Sequence, residues 1–153
     1  TTDETTLLNG GVGTLSVPAD AFKVGDTYRV DMGGKLSANN NEGLTIRIKS
    51  GAVVLASTGV ITMAGATDRS WIVSVDFIIR SVGVATVAAI YTSGFFEYLK
   101  NASSNLEFYN ASALNNTTFD TTVSNTLDIT AQWSVASPGN SITTENFNLY
   151  KIY

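Results

Sequence analysis

Asn125 to Tyr153 run NTLDITAQWSVASPGNSITTENFNLYKIY, and the reading of this stretch decides the fold. Leu127, Ile129, Ala131, Trp133 and Val135 alternate with Thr126, Asp128, Thr130, Gln132 and Ser134, the period of two that gives a strand one apolar and one wet face. Pro138-Gly139-Asn140 reverses the chain, because proline fixes φ and Gly and Asn tolerate positive φ. The closing run, Ile142 to Tyr153, places Phe147 and Leu149 on one face and Tyr150 and Ile152 on the other, so both faces ask for cover. A strand with no tail behind it leads us to expect an assembly contact there.

Working upstream, Gly- and Asn-rich punctuation separates further alternating runs, and no helical period is sustained. Val12 to Val17 reads as a first strand stopped by Pro18, and Ala19 to Val24 as a connection with Phe22 tucked beneath it. Thr27 to Met32 alternates, Gly33-Gly34 predicts a bulge or kink, and Asn39 to Gly43 is a loop. Leu44 to Lys49, Ala52 to Ala56 and Val60 to Met63 follow as short strands. Trp71 to Phe96 reads as two strands reversing near Ser81-Val82-Gly83, and the return strand, Val84 to Thr92, is apolar on both faces. In an antiparallel sandwich one of those faces needs a second subunit as cover. Asn101 to Asp120 reads as one short strand within a long excursion. The expectation is an all-β antiparallel sandwich of jelly-roll topology with about eight or nine strands, ahead of an immunoglobulin-like sandwich.

Composition bounds the function. The 153 residues are 44% hydrophobic and 14% charged, suited to one core burying about two-thirds of the unfolded surface. Residues 1–9 read as a polar linker or an artificial boundary and 10–153 as the single domain; the missing initiator Met and the polar Thr1 to Thr6 suit a C-terminal piece, cut down or naturally processed with equal weight. A net charge of -4 with scattered Lys and Arg argues against nucleic acid, and no apolar run reaches the roughly 20 residues of a membrane helix. With no histidine and no cysteine there is no disulfide, thiol nucleophile or histidine-based triad, and no catalytic, cofactor or metal site is predicted.

The segments GTLSVPADAFKVGDTYRVDMGGKLS, LTIRIKSGAVVLASTG and TLDITAQWSVASPGNSITTENFNLYKIY together resemble the C-terminal head domains of viral and bacteriophage fibres, spikes and tail adhesins. In architecture such heads resemble the trimeric tumour-necrosis-factor and complement-like jelly rolls. The resemblance implies a non-enzymatic homotrimer on the virion surface, contacting other virion proteins and a host glycan or protein receptor. It implies that Tyr91, Tyr150, Ile152 and Tyr153 lie near the threefold axis. A capsid decoration protein and a monomeric carbohydrate-binding module attached to a larger enzyme are the alternatives.

Local motifs add less. Asp76, Glu97, Glu107 and Asp128 could pair for glycoside hydrolysis, but no spacing joins them, and they read as solvated acids. Asn115, Asn116 and Asp120 read as turn formers before calcium ligands. The Asn101, Asn110, Asn115 and Asn116 acceptor triplets are ordinary products of an Asn- and Thr-rich sequence. Tyr98, Phe108 and Tyr109 could form a sugar platform, because an aromatic face covers the apolar face of a hexose, but aromatics in a long loop more often anchor it to the core, and that reading comes first. Asn39, Asn40 and Asn41 form a second candidate contact loop.

Overall fold

Strands with one apolar face must stack in pairs of sheets, and the computed structural model, which describes residues 1–8, 16–101 and 105–153, does this throughout. The elements are β1 (Thr5–Thr6), β2 (Ser16–Val17), β3 (Thr27–Ala38), β4 (Gly43–Ser50), β5 (Val53–Thr62), β6 (Ala66–Ser81), β7 (Ala89–Leu99), β8 (Leu106–Asn110), β9 (Ala113–Asn115), β10 (Asn125–Trp133) and β11 (Ser141–Lys151). One sheet has the order β1-β10-β4-β5, with β2 also on β10; the other has the order β11-β3-β6-β7-β8, with β9 also on β7. All pairs are antiparallel. The chain crosses between sheets from β2 to β3, β3 to β4, β5 to β6, β9 to β10 and β10 to β11, a jelly-roll order with β7, β8 and β9 added beyond β6.

Against the expected eight or nine strands, the described residues form eleven: β1 and β9 span only two or three residues, too short for alternation to signal, while Ala52 to Ala56 and Val60 to Met63, read as two strands, are the single bulged strand β5. Between the sheets lie Val30, Met32 and Leu36 of β3, Trp71, Val73, Val75, Phe77 and Ile79 of β6, and Leu44, Ile46 and Ile48 of β4, with Ile129, Ala131 and Trp133 of β10 facing them. An aromatic ladder, Trp71–Phe96–Tyr98–Tyr109, extends this core under β7 and β8, with centroid separations of 6.2, 6.0 and 6.4 Å.

Three expectations change. Thr5 and Thr6 pair with Ala131 and Thr130 and Leu7 is buried, so the start of the chain is part of the sandwich up to that point. Alternation could not show this, because the pairing is made by backbone. The expected return strand begins at Ala89; Val84 to Ala88 form a turn in which Val84 O accepts from the N–H groups of Val87 and Ala88. The apolar character of that segment therefore belongs to a loop. Most of the first expected strand, Val12 to Leu15, lies outside the described residues.

The closing strand solves its two-faced sequence with a β-bulge. Register shifts between Thr144 and Asn146, opposite Gly34 and Gly33, so Glu145 is an extra residue. This changes the parity: Ile142 before the bulge and Phe147 and Leu149 after it all pack against the core. The bulge turns the Thr143 carbonyl toward Trp71, whose Nε1–H donates to Thr143 O and Lys35 O, each at 3.1 Å. A Cβ on Gly34 would collide with that same carbonyl.

Gly34→Ala is therefore expected to lower the unfolding free energy by about 3 kcal/mol, read from urea denaturation. A second substitution should act in the opposite direction. Thr92 is fully buried and its Oγ1 has no hydrogen-bond partner, so the isosteric Thr92→Val should raise stability by about 1 kcal/mol.

Candidate functional site

The outer face of the β11-β3-β6-β7-β8 sheet is built from the residues that alternate with its core, and many of them are apolar. Ladder register sets them in rows. One row crosses Thr27, Ile78, Tyr91 and Leu114, and Ile152 joins it by donating its N–H to Thr27 O at 2.7 Å. Tyr91 is 37% and Leu114 55% exposed. A second apolar field occupies the β6–β8 corner, where Ile72 and Leu106 flank Phe95 and Phe108, whose rings stack at 4.9 Å. On a folded domain such contiguous apolar surface marks a contact site.

Between the two fields runs a polar seam whose groups satisfy one another. Arg29 donates through Nε and Nη2 to the two carboxylate oxygens of Asp76, both at 2.7 Å. The Asp76 carboxylate holds the guanidinium pKa above its ordinary value. Asp31 accepts from Ser74 Oγ at 2.6 Å and from the Tyr150 hydroxyl at 3.0 Å. Tyr150 thus lies on this face beside Arg29, its register partner.

The structure brings Tyr91, Tyr150 and Ile152 onto one face, and leaves Tyr153 86% exposed at the end of it. Of the aromatics read as core anchors before a sugar platform, the two tyrosines take the anchoring place. Tyr98 has no exposed surface, and its hydroxyl accepts from Ala64 N–H at 2.7 Å. It is a core residue on β7, because its parity on that strand matches Phe96. Tyr109 turns inward against Tyr98, and burial pushes its hydroxyl up to about 12, so it stays neutral. Only Phe108 of the three points outward, from a strand and not a loop.

Asn39 is structural: its Nδ2 donates to Ser137 Oγ at 2.6 Å, and its N–H to Asn140 Oδ1 at 3.0 Å, joining the β3–β4 and β10–β11 turns. Asn40 and Asn41 are exposed, with Asn41 at φ 67°. The four acids considered for hydrolysis sit on four strands: Asp76 binds Arg29, Glu107 binds Lys100, Asp128 accepts from Thr6, and Glu97 stands alone in the outer face. Asn115 Oδ1 accepts from the N–H groups of Thr117, Thr118 and Phe119, a turn former. Arg47 and Lys49 both reach Glu4. Among the described residues no cluster of His, Cys, Asp and Glu could hold a metal.

Sequence reasoning missed Ile72, Ile78, Phe95 and Leu114. Ile72 and Ile78 did carry a signal, since both are apolar residues out of phase with Trp71, Val73, Val75 and Phe77.

No protein-family model, curated protein or solved structure matches this chain. Its candidate surface therefore rests on geometry alone.

The end of that surface is tethered. Lys151 Nζ lies 2.6 Å from Asp26 Oδ1 and 5.7 Å from the centre of the Tyr28 ring, and Tyr153 O accepts from Thr27 N–H. Burial by itself would raise the Asp26 carboxyl, but Lys151, the Lys23 N–H and the Tyr28 hydroxyl outweigh it and hold its pKa below the ordinary aspartate value. Because the folded value is the lower one, the stability contributed is complete above the ordinary value of about 3.9 and disappears as pH falls through the folded value. Asp26→Asn should accordingly cost about 2 kcal/mol at neutral pH. Urea titrations of the two proteins should converge as pH drops below the ordinary carboxyl range.

Proposed function

We propose that this chain is the non-enzymatic head of a virion fibre or spike, a homotrimer displayed on the particle surface that attaches to a host surface or to another virion component. One observation carries the assembly part of the reading: the two apolar fields, the second interrupted by Glu97, on the outer face of a sheet whose opposite face already forms the core. Water on both fields is the costly state, and a neighbouring copy removes it. The virion context is supported by the resemblance of the Gly13–Ser37 and Thr126–Tyr153 segments to fibre heads.

The two ends of the sandwich differ in a way that suits such a head. One end carries the Asn39 to Glu42 turn and the Ser137 to Asn140 turn, hydrogen-bonded together and polar. That end is free to present Asn40 and Asn41 to a glycan or protein receptor while the sheet face is occupied by assembly.

A carbohydrate-binding module is the second reading, and one observation favours it. The Phe95 and Phe108 rings stack on each other on the outer face, with Asn110 opposite Phe95 and Glu97 opposite Phe108, an apolar pair with hydrogen-bonding groups beside it.

Sedimentation equilibrium at micromolar concentration should give three chains. Tyr91→Asp and Ile152→Asp should each dissociate the assembly, while Phe108→Ala should weaken it less. A stable monomer that binds sugars on a glycan array, and loses that binding in Phe108→Ala, would replace the assembly reading with the second one.

A further inference from the structure

The outer face of the β1-β10-β4-β5 sheet holds a carboxylate in a basic cradle. On β4 the residues alternating with the core positions Leu44, Ile46 and Ile48 are Thr45, Arg47 and Lys49, and register sets Gln132, Thr130 and Asp128 of β10 opposite them. Glu4, from the segment that precedes β1, reaches this face. Its carboxylate accepts from the Thr130 hydroxyl and from Lys49 Nζ at 3.3 Å, and Arg47 Nη1 stands 3.6 Å from it. Thr130 is itself buried, with its hydroxyl aimed at the carboxylate. That bond first, then Lys49 and Arg47, hold the Glu4 carboxyl below the ordinary glutamate range against the cost of desolvation.

The carboxylate arrives from outside the sheet. Thr1 to Glu4 belong to no strand and are exposed, and backbone pairing starts at Thr5. Only Thr2 O, which accepts from Gln132 Nε2 at 3.1 Å, joins Glu4 on the face. Arg47 is aimed by the same glutamine, its Nη1 donating to Gln132 Oε1 at 2.8 Å. The Arg47 and Lys49 side chains are 26% and 20% exposed, so their pull on an anion is less screened than that of cations standing free in water. Asp128, which accepts from Thr6 Oγ1, offsets one of the two positive charges, and Glu4 offsets the other. Without Glu4 one positive charge is left over. The cradle is not what fastens β1, because Leu7 is buried in the core and its N–H donates to Ile129 O.

We propose that Arg47, Lys49, Thr130 and Gln132 form a binding site for the carboxylate of a sugar acid, a uronate or a sialate, filled in this structure by the chain's own Glu4. This rests on the attachment half of the reading above for a ligand carried by a host surface, and it is independent of the assembly half, since the site lies on the other sheet from the apolar fields. Displacing residues 1–4 leaves Thr5, Thr6 and Leu7 bonded to β10, so no strand edge opens for a peptide to add to. What opens is a flat face with two cations, a hydroxyl and an amide. A ring bearing one carboxylate and several hydroxyls matches that set of groups. Such a ligand competes with Glu4, so the apparent affinity of the unsubstituted chain is reduced to the fraction in which the segment is undocked.

Glu4→Ala empties the cradle. At constant ionic strength, sodium acetate in place of chloride should raise the melting temperature of that variant and leave the unsubstituted chain unmoved, and adding Arg47→Ala should abolish the response. In isothermal titration with sodium glucuronate and sodium N-acetylneuraminate, at least one should bind Glu4→Ala about tenfold or more tightly than it binds the unsubstituted chain, while glucose binds neither. Glu4→Gln, which keeps the shape and removes the charge, should respond in the same direction, so the comparison holds even where alanine disturbs β1. No acetate response and no sugar-acid binding in either variant would overturn the site. Equal affinity with and without the Glu4 carboxylate would overturn its part as the built-in occupant. An acetate response without binding of either sugar acid, or with binding of a tetraglutamate peptide instead, would overturn the choice of ligand. A trimer that fails these measurements leaves the assembly reading standing, and a monomer that passes them leaves the site standing without it.

Discussion

The arrangement of both faces depends on one local constraint, the place where Trp71 meets the bulge of β11. A strand changes the face of every side chain when its register slips by one residue. In β11 that slip is built in at Glu145, and the indole N–H of Trp71 holds it by donating to carbonyls on both adjoining strands. Gly34 is required at the same spot because the inward carbonyl of Thr143 occupies the space of its Cβ. Without the extra residue, Ile142 and Phe147 could not both reach the core. With it, Phe147 and Leu149 turn inward, and Tyr150 and Ile152 are delivered to the outer face.

The outer face then follows from parity along three further strands. Ile78 and Tyr91 stand opposite one another because β6 and β7 pair in register through that point, and Leu114 continues the row from β9. The short β9 extends the row by only one apolar side chain, but it also anchors Asn115, whose Nδ2 donates to Val54 O on the other sheet at 3.1 Å. The two sheets are thereby joined near the edge where the surface loops project. The opposite edge is closed by Thr144 Oγ1, which donates to Leu7 O at 2.7 Å.

Much of this was legible in the sequence, and the limits have physical causes. Alternation in Leu127 to Trp133 and in Trp71 to Ile79 located the core strands, because burial of one face is written in every second residue. Gly33-Gly34 pointed to an irregularity, yet the bulge itself lies across the ladder in β11, where nothing but cross-strand pairing reveals it. Val84 to Ala88 looked like strand because valine and alanine have no charge to exclude it; the turn is held by Thr121, more than thirty residues away. Tyr98 groups in the sequence with the loop aromatics Phe108 and Tyr109 because polar Asn and Ser residues lie near it. Its fate was decided by parity with Phe96 and by a hydroxyl that satisfies Ala64 N–H.

The seam between the two apolar fields bears on whether this face can be covered at all. Burying a lone charge is prohibitive, and even a paired one is tolerated only when its remaining hydrogen-bonding capacity is met. Arg29 and Asp76 are joined by two parallel bonds, and Asp31 is met by Ser74 and Tyr150, so these groups already have partners before any second chain arrives. Tyr150 is the hinge between the two characters of the face: its ring extends the apolar area while its hydroxyl closes the polar network. A neighbouring copy laid over the seam would have to supply shape and apolar contact rather than new charges.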